Sequence, residues 1–137
     1  MGVDLTSTLN LSAKGMTAQS TRLRVIAENI ANSATTGSTP GADPYQRKTV
    51  VFANTLDQAL GTSTVGVRQI TPDKSAFTRR FDPANPAADT AGYVKTPNVN
   101  TFVEIMDMKE AQRSYTANLN VMEATRGMLT RTVDLLR

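Results

Sequence analysis

Glu104, Asp107 and Glu110 stand three residues apart and could share one helical face, the nearest this sequence comes to a general acid–base cluster. Such a cluster works only in a pocket, with a partner that shifts one pKa away from the others. Near a helix start, carboxylates are favoured by the backbone dipole alone, and that is the reading adopted. Asp73, Asp82 and Asp89 lack the spacing of a calcium loop. The chain contains no His and no Cys. It therefore offers no imidazole base, no thiolate, no disulfide, and no ordinary ligand set for zinc, haem or an iron–sulfur cluster. No Ser lies in a Gly-x-Ser-x-Gly elbow, and the stretch from Gly61 to Gly66 lacks the Lys and helix start of a phosphate loop. Met16, Met106, Met108, Met122 and Met128 fall at helical spacings, where thioethers fill irregular gaps between helices more readily than they bind metal. The expectation is a protein that is not an enzyme, with no catalytic residue, no cofactor and no metal.

Charge points the same way. Fifteen Lys and Arg oppose twelve Asp and Glu over 137 residues, a net +3. The bases are spread along the chain, with Arg47–Lys48 and Arg79–Arg80 as the adjacent pairs, so no basic stripe predicts nucleic-acid binding. No run approaches the roughly 18–20 apolar residues of a membrane span. The opening Met1-Gly-Val-Asp-Leu-Thr-Ser7 lacks the basic and apolar regions of a cleavable signal, and Gly2 fits a myristoylation start only loosely. A chain of this kind is expected in the cytoplasm, or leaves it by a route that needs no ordinary signal.

The elements that position these residues are legible from punctuation. All six Pro and five of the eight Gly lie in residues 32–98, and both residue types interrupt helices. The sequence predicts a mainly α fold with a small β-containing insert. Long N- and C-terminal helices pack as a coiled-coil pair, with short strands and loops between them. The predicted domains are a discontinuous helical one, residues 1–32 with 99–137, and a β-rich, loop-rich middle, residues 33–98.

In the C-terminal segment, Met108, Tyr115, Leu119, Met122, Leu129, Val133 and Leu136 follow one another at spacings of three, four or seven, a coiled-coil seam. Beside it runs a second stripe of smaller residues, Ala117, Val121, Ala124 and Met128, which widens the apolar face. Thr101-Phe-Val-Glu104 has the form of a capping box and predicts the helix start. In the N-terminal segment Leu9, Met16, Leu23 and Ile30 repeat every seven residues, with Leu5 and Ile26 in the neighbouring register. A small-residue stripe at Ala13, Ser20 and Ala27 would allow another backbone to come close, and Asn32 predicts the helix end. Two apolar faces this wide need more neighbours than one chain supplies. Between the helices, 47–53, 64–70 and 76–81 read as strands, Thr71-Pro-Asp-Lys74 as a hairpin-type turn, and 33–44 and 82–92 as mobile loops.

Several of these strings resemble a known family. Ser12-Ala-Lys-Gly-Met16 through Glu28-Asn29-Ile30-Ala31-Asn32 is similar to the N-terminal signature of bacterial flagellar rod and hook proteins, the axial family. The long stretch from Ala34 to Lys48, the Asp82-Pro83 to Val94 segment, Pro97-Asn98-Val99-Asn100, and Glu104 to Asn118 resemble its proximal-rod members across nearly the whole chain. Ile105 and the Lys109–Glu110 step depart from the usual pattern, which touches neighbour contacts rather than membership. The resemblance implies a structural rod subunit, part of the hollow driveshaft that crosses the periplasm, transmits torque and encloses the export channel. It implies export by the flagellar type III machinery without signal cleavage. The implied partners are copies of itself, other proximal and distal rod subunits, and the rod–ring adaptor at the base. Its helical ends would line the channel, with Leu9, Met16, Leu23, Ile26 and Ile30 packing against Met108, Tyr115, Leu119, Met122, Leu129, Val133 and Leu136. The lack of Cys suits an oxidising compartment. Asn29 and Asn32 are expected to bond backbone groups at the turn out of the first helix. The competing readings are another axial rod or hook-basal-body adaptor subunit, a soluble coiled-coil adaptor or chaperone, and a peptidoglycan hydrolase, for which no convincing carboxylate pair exists in the middle region.

Overall fold

A computed structural model describes residues 4–137, so the reading of Gly2 falls outside the described residues. Helix α1 spans Leu5–Ala31, strands β1 and β2 span Lys48–Asp57 and Thr62–Pro72, β3 and β4 span Thr78–Phe81 and Tyr93–Thr96, and helix α2 spans Thr101–Leu135. The fold is the expected one: two long helices packed together, with short antiparallel strands between them.

The helix ends show how local chemistry sets the boundaries. Asp4 caps α1, its Oδ1 accepting the Thr6 N–H at 3.0 Å, with the Thr6 and Ser7 hydroxyls donating to the same carboxylate. At the other end the N–H and the Nδ2 of Asn32 both donate to the Glu28 carbonyl, at 3.1 and 2.9 Å. No non-glycine residue among those described has positive φ. Asn32 thus ends the helix with its side chain rather than by turning left-handed. Helix α2 is capped by Asn100, whose Oδ1 accepts from the N–H of Phe102 and Val103 at 3.1 and 3.4 Å. The Thr101 capping box is therefore corrected by one residue, which frees Glu104 for another partner.

The strands also differ in detail from the expectation. β1 pairs with β2 and β3 with β4, in two separate two-stranded sheets. The hairpin turn lies between Asp57 and Thr62, not at Thr71–Lys74, because Gly61 supplies a φ of 60° and Asp57 Oδ1 accepts the N–H groups of Ala59 and Leu60. Strand β4 has no counterpart in the expectation from sequence. It pairs antiparallel with β3, Thr78 opposite Thr96 and Phe81 opposite Tyr93.

The chain divides into two compact units. One comprises α1 up to Leu23, Val51–Gln69 and Lys109–Arg137. Its buried residues are small: Ser12, Ala18, Thr64, Ala111 and Thr125. A Cβ on Gly15 would stand 2.9 Å from the Asn118 side chain, so the two helices meet closely there. Lys14 pairs with Asp57 and ties the hairpin to α1. The other unit comprises Arg24–Val50 and Ile70–Met108. Val25, Ile26, Ala87 and Val94 are its buried apolar residues, alongside Asn29 and Glu104. The 33–44 and 82–92 segments are closed by turns and bonded to each other, Gly41 N–H donating to the Ala87 carbonyl at 3.2 Å. Asp89 organises the second segment, accepting from the N–H groups of Ala91 and Tyr93, which lowers its pKa. These are loops as expected, but built ones.

Candidate functional site

The sequence signature Glu28-Asn29-Ile30-Ala31-Asn32 covers the last turn of α1 and the residue after it, and within it Asn29 is 1% exposed. An Asn amide has two acceptor lone pairs and two N–H donors, and here all four are used. Oδ1 accepts from the Lys48 N–H and from the Tyr45 hydroxyl, both at 2.9 Å. Nδ2 donates to the Lys48 carbonyl at 2.8 Å and to Glu104 Oε2 at 3.1 Å. The side chain thus engages both backbone groups of Lys48, as a neighbouring strand would, and fixes where β1 begins. Its partners are the Lys48 backbone and two side chains rather than the turn out of α1, which corrects half of the expectation. The other half stands with Asn32, which bonds the Glu28 carbonyl and accepts the Thr35 hydroxyl at 3.2 Å.

Glu104, also 1% exposed, receives Arg47 Nε on Oε1 at 2.5 Å and Asn29 on Oε2. Arg47 reaches Asp73 through Nη1 at 3.2 Å and Asp107 through Nη2 at 3.9 Å. Burial alone would lower the Arg47 pKa, but the bonds and charges of Glu104 and Asp73 together raise it. The Ser75 N–H and hydroxyl, with Arg47 behind them, hold the Asp73 carboxyl below its usual range. Around this pair the backbone is stitched by side chains. Asn98 accepts the Arg47 N–H at 2.8 Å and donates to the Asp73 and Ser75 carbonyls at 3.0 and 3.1 Å. Gln46 donates to the Asp73 carbonyl at 2.8 Å. Lys48 bonds Glu28 at 2.5 Å, which raises the lysine pKa, and lies 5.9 Å above the Tyr45 ring. Burial, helped by the charge of Glu28, pushes the Tyr45 hydroxyl up.

Every polar group at this centre is engaged. Glu104 is shut away from water and committed to Arg47 and Asn29. The arrangement is a clamp that holds α1, the chain at 45–48, the chain at 73–75 and the start of α2. Among the described residues no group of three or more His, Cys, Asp or Glu is placed to hold a metal ion, and no helix is long and apolar enough to cross a membrane.

The predicted seam residues lie as follows. Ile26 is buried, and Leu9, Met16, Leu23, Ile30, Met108, Tyr115, Leu119, Met122 and Leu129 are half-buried. Met16, Tyr115 and Met122 line one groove. Val133 and Leu136 are 63% and 85% exposed. In the signature, Glu28, Ile30 and Asn32 are half-buried and Ala31 is exposed. The second stripe of α2 faces solvent: Val121 is 46% and Met128 55% exposed. Sequence reasoning missed Tyr45, Arg47, Asp73 and Asn98, and read Glu104 as a dipole partner. The available signal was a lone acid among Phe102, Val103, Ile105 and Met106, in a chain whose first adjacent basic pair, Arg47–Lys48, follows the end of α1.

Comparison with known proteins adds an independent line. Residues 9–39 match the family described as "Flagella basal body rod protein", and residues 90–135 match "Flagellar basal body rod FlgEFG protein C-terminal". The chain is 50% identical over 133 residues to "Flagellar basal-body rod protein FlgC" of Agrobacterium fabrum, covering 97% of this chain and 96% of that protein. It is 37% identical to the proteins of the same name from Bacillus subtilis, with 93% and 95% covered, and from Salmonella typhimurium, with 96% and 97% covered.

Proposed function

This chain belongs to the FlgC family of flagellar basal-body rod proteins, structural subunits of the rod, and on that premise we propose that α1 and α2 are its assembling part. In this reading the helical ends, residues 1–32 and 99–137, pack through Leu9, Met16, Leu23, Ile26 and Ile30 and through the Met108 to Leu136 seam. They line the export channel of the proximal rod, and residues 33–98 form its outer part. The neighbours are copies of this chain, other proximal and distal rod subunits and the rod–ring adaptor. The chain reaches the periplasm through the flagellar type III apparatus without signal cleavage, and it performs no catalysis.

The observation that carries this reading is the apolar surface α2 leaves in water. Phe102 is 73% exposed, Met106 54%, Met128 55% and Leu135 88%, with Leu136, just past the helix end, at 85%. Among the described residues the buried apolar side chains are few and mostly small: Ala18, Val25, Ile26, Ala87, Val94 and Ala111, with Pro44 and Pro97. Large apolar side chains left in water are available to a neighbouring subunit, and burying a Leu or Met side chain contributes roughly 1.5–3 kcal/mol. Neighbouring subunits would supply that burial, and torque would then pass through packed helices rather than flexible loops.

The test is Leu23→Asp in a strain whose only copy carries it. The half-buried Leu23 tolerates no charge once a neighbour covers it. Rod assembly and swimming should be lost while the variant is still exported, and Leu23→Met should behave as the parent. A motile Leu23→Asp strain would refute the seam assignment.

A further inference from the structure

Resting on the reading of this chain as a rod subunit, whose copies must all present one surface, we propose that two polar contacts, Gly15 with Asn118 and Asn29 with Glu104, fix the register of α1 on α2 where the apolar seams leave it open.

The seams repeat every seven residues, through Leu9, Met16, Leu23 and Ile30 on α1 and through Met108, Tyr115, Met122 and Leu129 on α2. A slip of seven residues, about 10.5 Å along the helix, sets seam residue against seam residue again. Apolar burial therefore does not choose among these registers, and a polar contact inside such a seam does. The described residues buried on the two helices are Ser12, Ala18, Val25, Ile26 and Asn29 on α1 and Glu104, Ala111 and Thr125 on α2. Half of them are polar.

In one unit Asn118 packs on bare backbone. A Cβ on Gly15 would stand 2.9 Å from its Nδ2 and 3.1 Å from its Oδ1, and that Nδ2 donates to the Ser114 carbonyl at 3.1 Å. In the other unit Asn29 Nδ2 donates to Glu104 Oε2 at 3.1 Å, with both residues 1% exposed. The two contacts specify the same register: Asn29 lies fourteen residues after Gly15, and Glu104 fourteen before Asn118. Either slip breaks both. Seven residues one way set Asn118 against Arg22 and Asn29 against Ala111, whose side chain has no acceptor. Seven the other way set Asn118 against Thr8 and carry Asn29 past the start of α2, to Pro97. That second slip also sets Glu104 against a cation, Arg22, so the glycine contact is the one that opposes it.

The chain has no Cys, so an introduced disulfide reports register directly. Counting from the two contacts, residue 124 lies opposite Leu9, and Met122 is the nearest seam position. Leu9→Cys is combined in full-length chains with Met122→Cys for this register, or with Tyr115→Cys or Leu129→Cys for the two slips. Each purified chain is oxidised mildly at high dilution, and the intramolecular adduct is measured by mass. Without further change the 9–122 adduct should predominate. With Gly15→Ala, Asn118→Ala and Glu104→Ala together, the 9–115 or the 9–129 adduct should rise about tenfold or more, the scale of a lost buried polar contact. Alanine favours helix at all three positions, and circular dichroism checks that helix content is kept. A triple variant that still gives the 9–122 adduct alone overturns the proposal. So does one that loses its helices, since the contacts then hold the fold and not its register, and so do slipped adducts in the chain with its contacts intact. Swimming by a strain whose only copy is the slipped triple variant refutes the rod reading's demand for one surface instead, and leaves the register result standing.

Discussion

Asn29→Ala removes the centre of the clamp, and its cost can be worked from the structure. The substitution orphans the Lys48 N–H and carbonyl, the Tyr45 hydroxyl and one oxygen of Glu104, all bonded to Asn29 at 2.8–3.1 Å. A buried polar group left without its partner costs about 1–3 kcal/mol, with charged groups at the upper end. Tyr45 and Lys48 lie partly exposed, so water replaces some of those bonds, whereas Glu104 at 1% exposure is not rescued. The expected loss is about 3–5 kcal/mol, a large part of the roughly 5–15 kcal/mol that holds a domain folded. Asn29→Asp keeps the shape but has no donors and sets a second carboxylate against Glu104, so it should cost at least as much. Urea unfolding of the purified chain, followed by circular dichroism, measures both. Parent-like stability, within about 1 kcal/mol, for Asn29→Ala would show that the four bonds do not act as a unit and would refute this reasoning.

Two glycines should separate backbone strain from crowding. Gly61 has a φ of 60° and open space where a Cβ would stand, so Gly61→Ala should cost only about 1–2 kcal/mol of left-handed strain. Gly92 has a φ of 84° and would place a Cβ 2.8 Å from the Phe81 ring, so Gly92→Ala should be the worse of the two in thermal unfolding. The Asp73 carboxyl titrates below its ordinary value of 3.8 in the folded chain. Its contribution is therefore present above that value and lost as pH falls through the lower, folded one. Asp73→Asn should flatten the acid limb of stability against pH below about pH 4, read from unfolding curves at several pH values.

The sequence by itself determined the two helices, because apolar residues recurring every three or four positions over many turns fit one conformation, and the Pro and most of the Gly gathered in 32–98 mark where it stops. It also showed the absence of imidazole and thiol chemistry. The tertiary structure alone decided what Glu104 does. From sequence it is an acid near a helix start; in the fold a capping Asn100 leaves it free and Arg47, far along the chain, reaches it. The same holds for strand pairing, where 71–74 has the composition of a hairpin turn but Asp57 and Gly61 supply one between β1 and β2. Periodicity is a property of neighbours along the chain, so it can be read in one dimension. A buried hydrogen-bonded clamp is assembled from distant segments whose residues carry no periodic trace, so only their meeting in space reveals it.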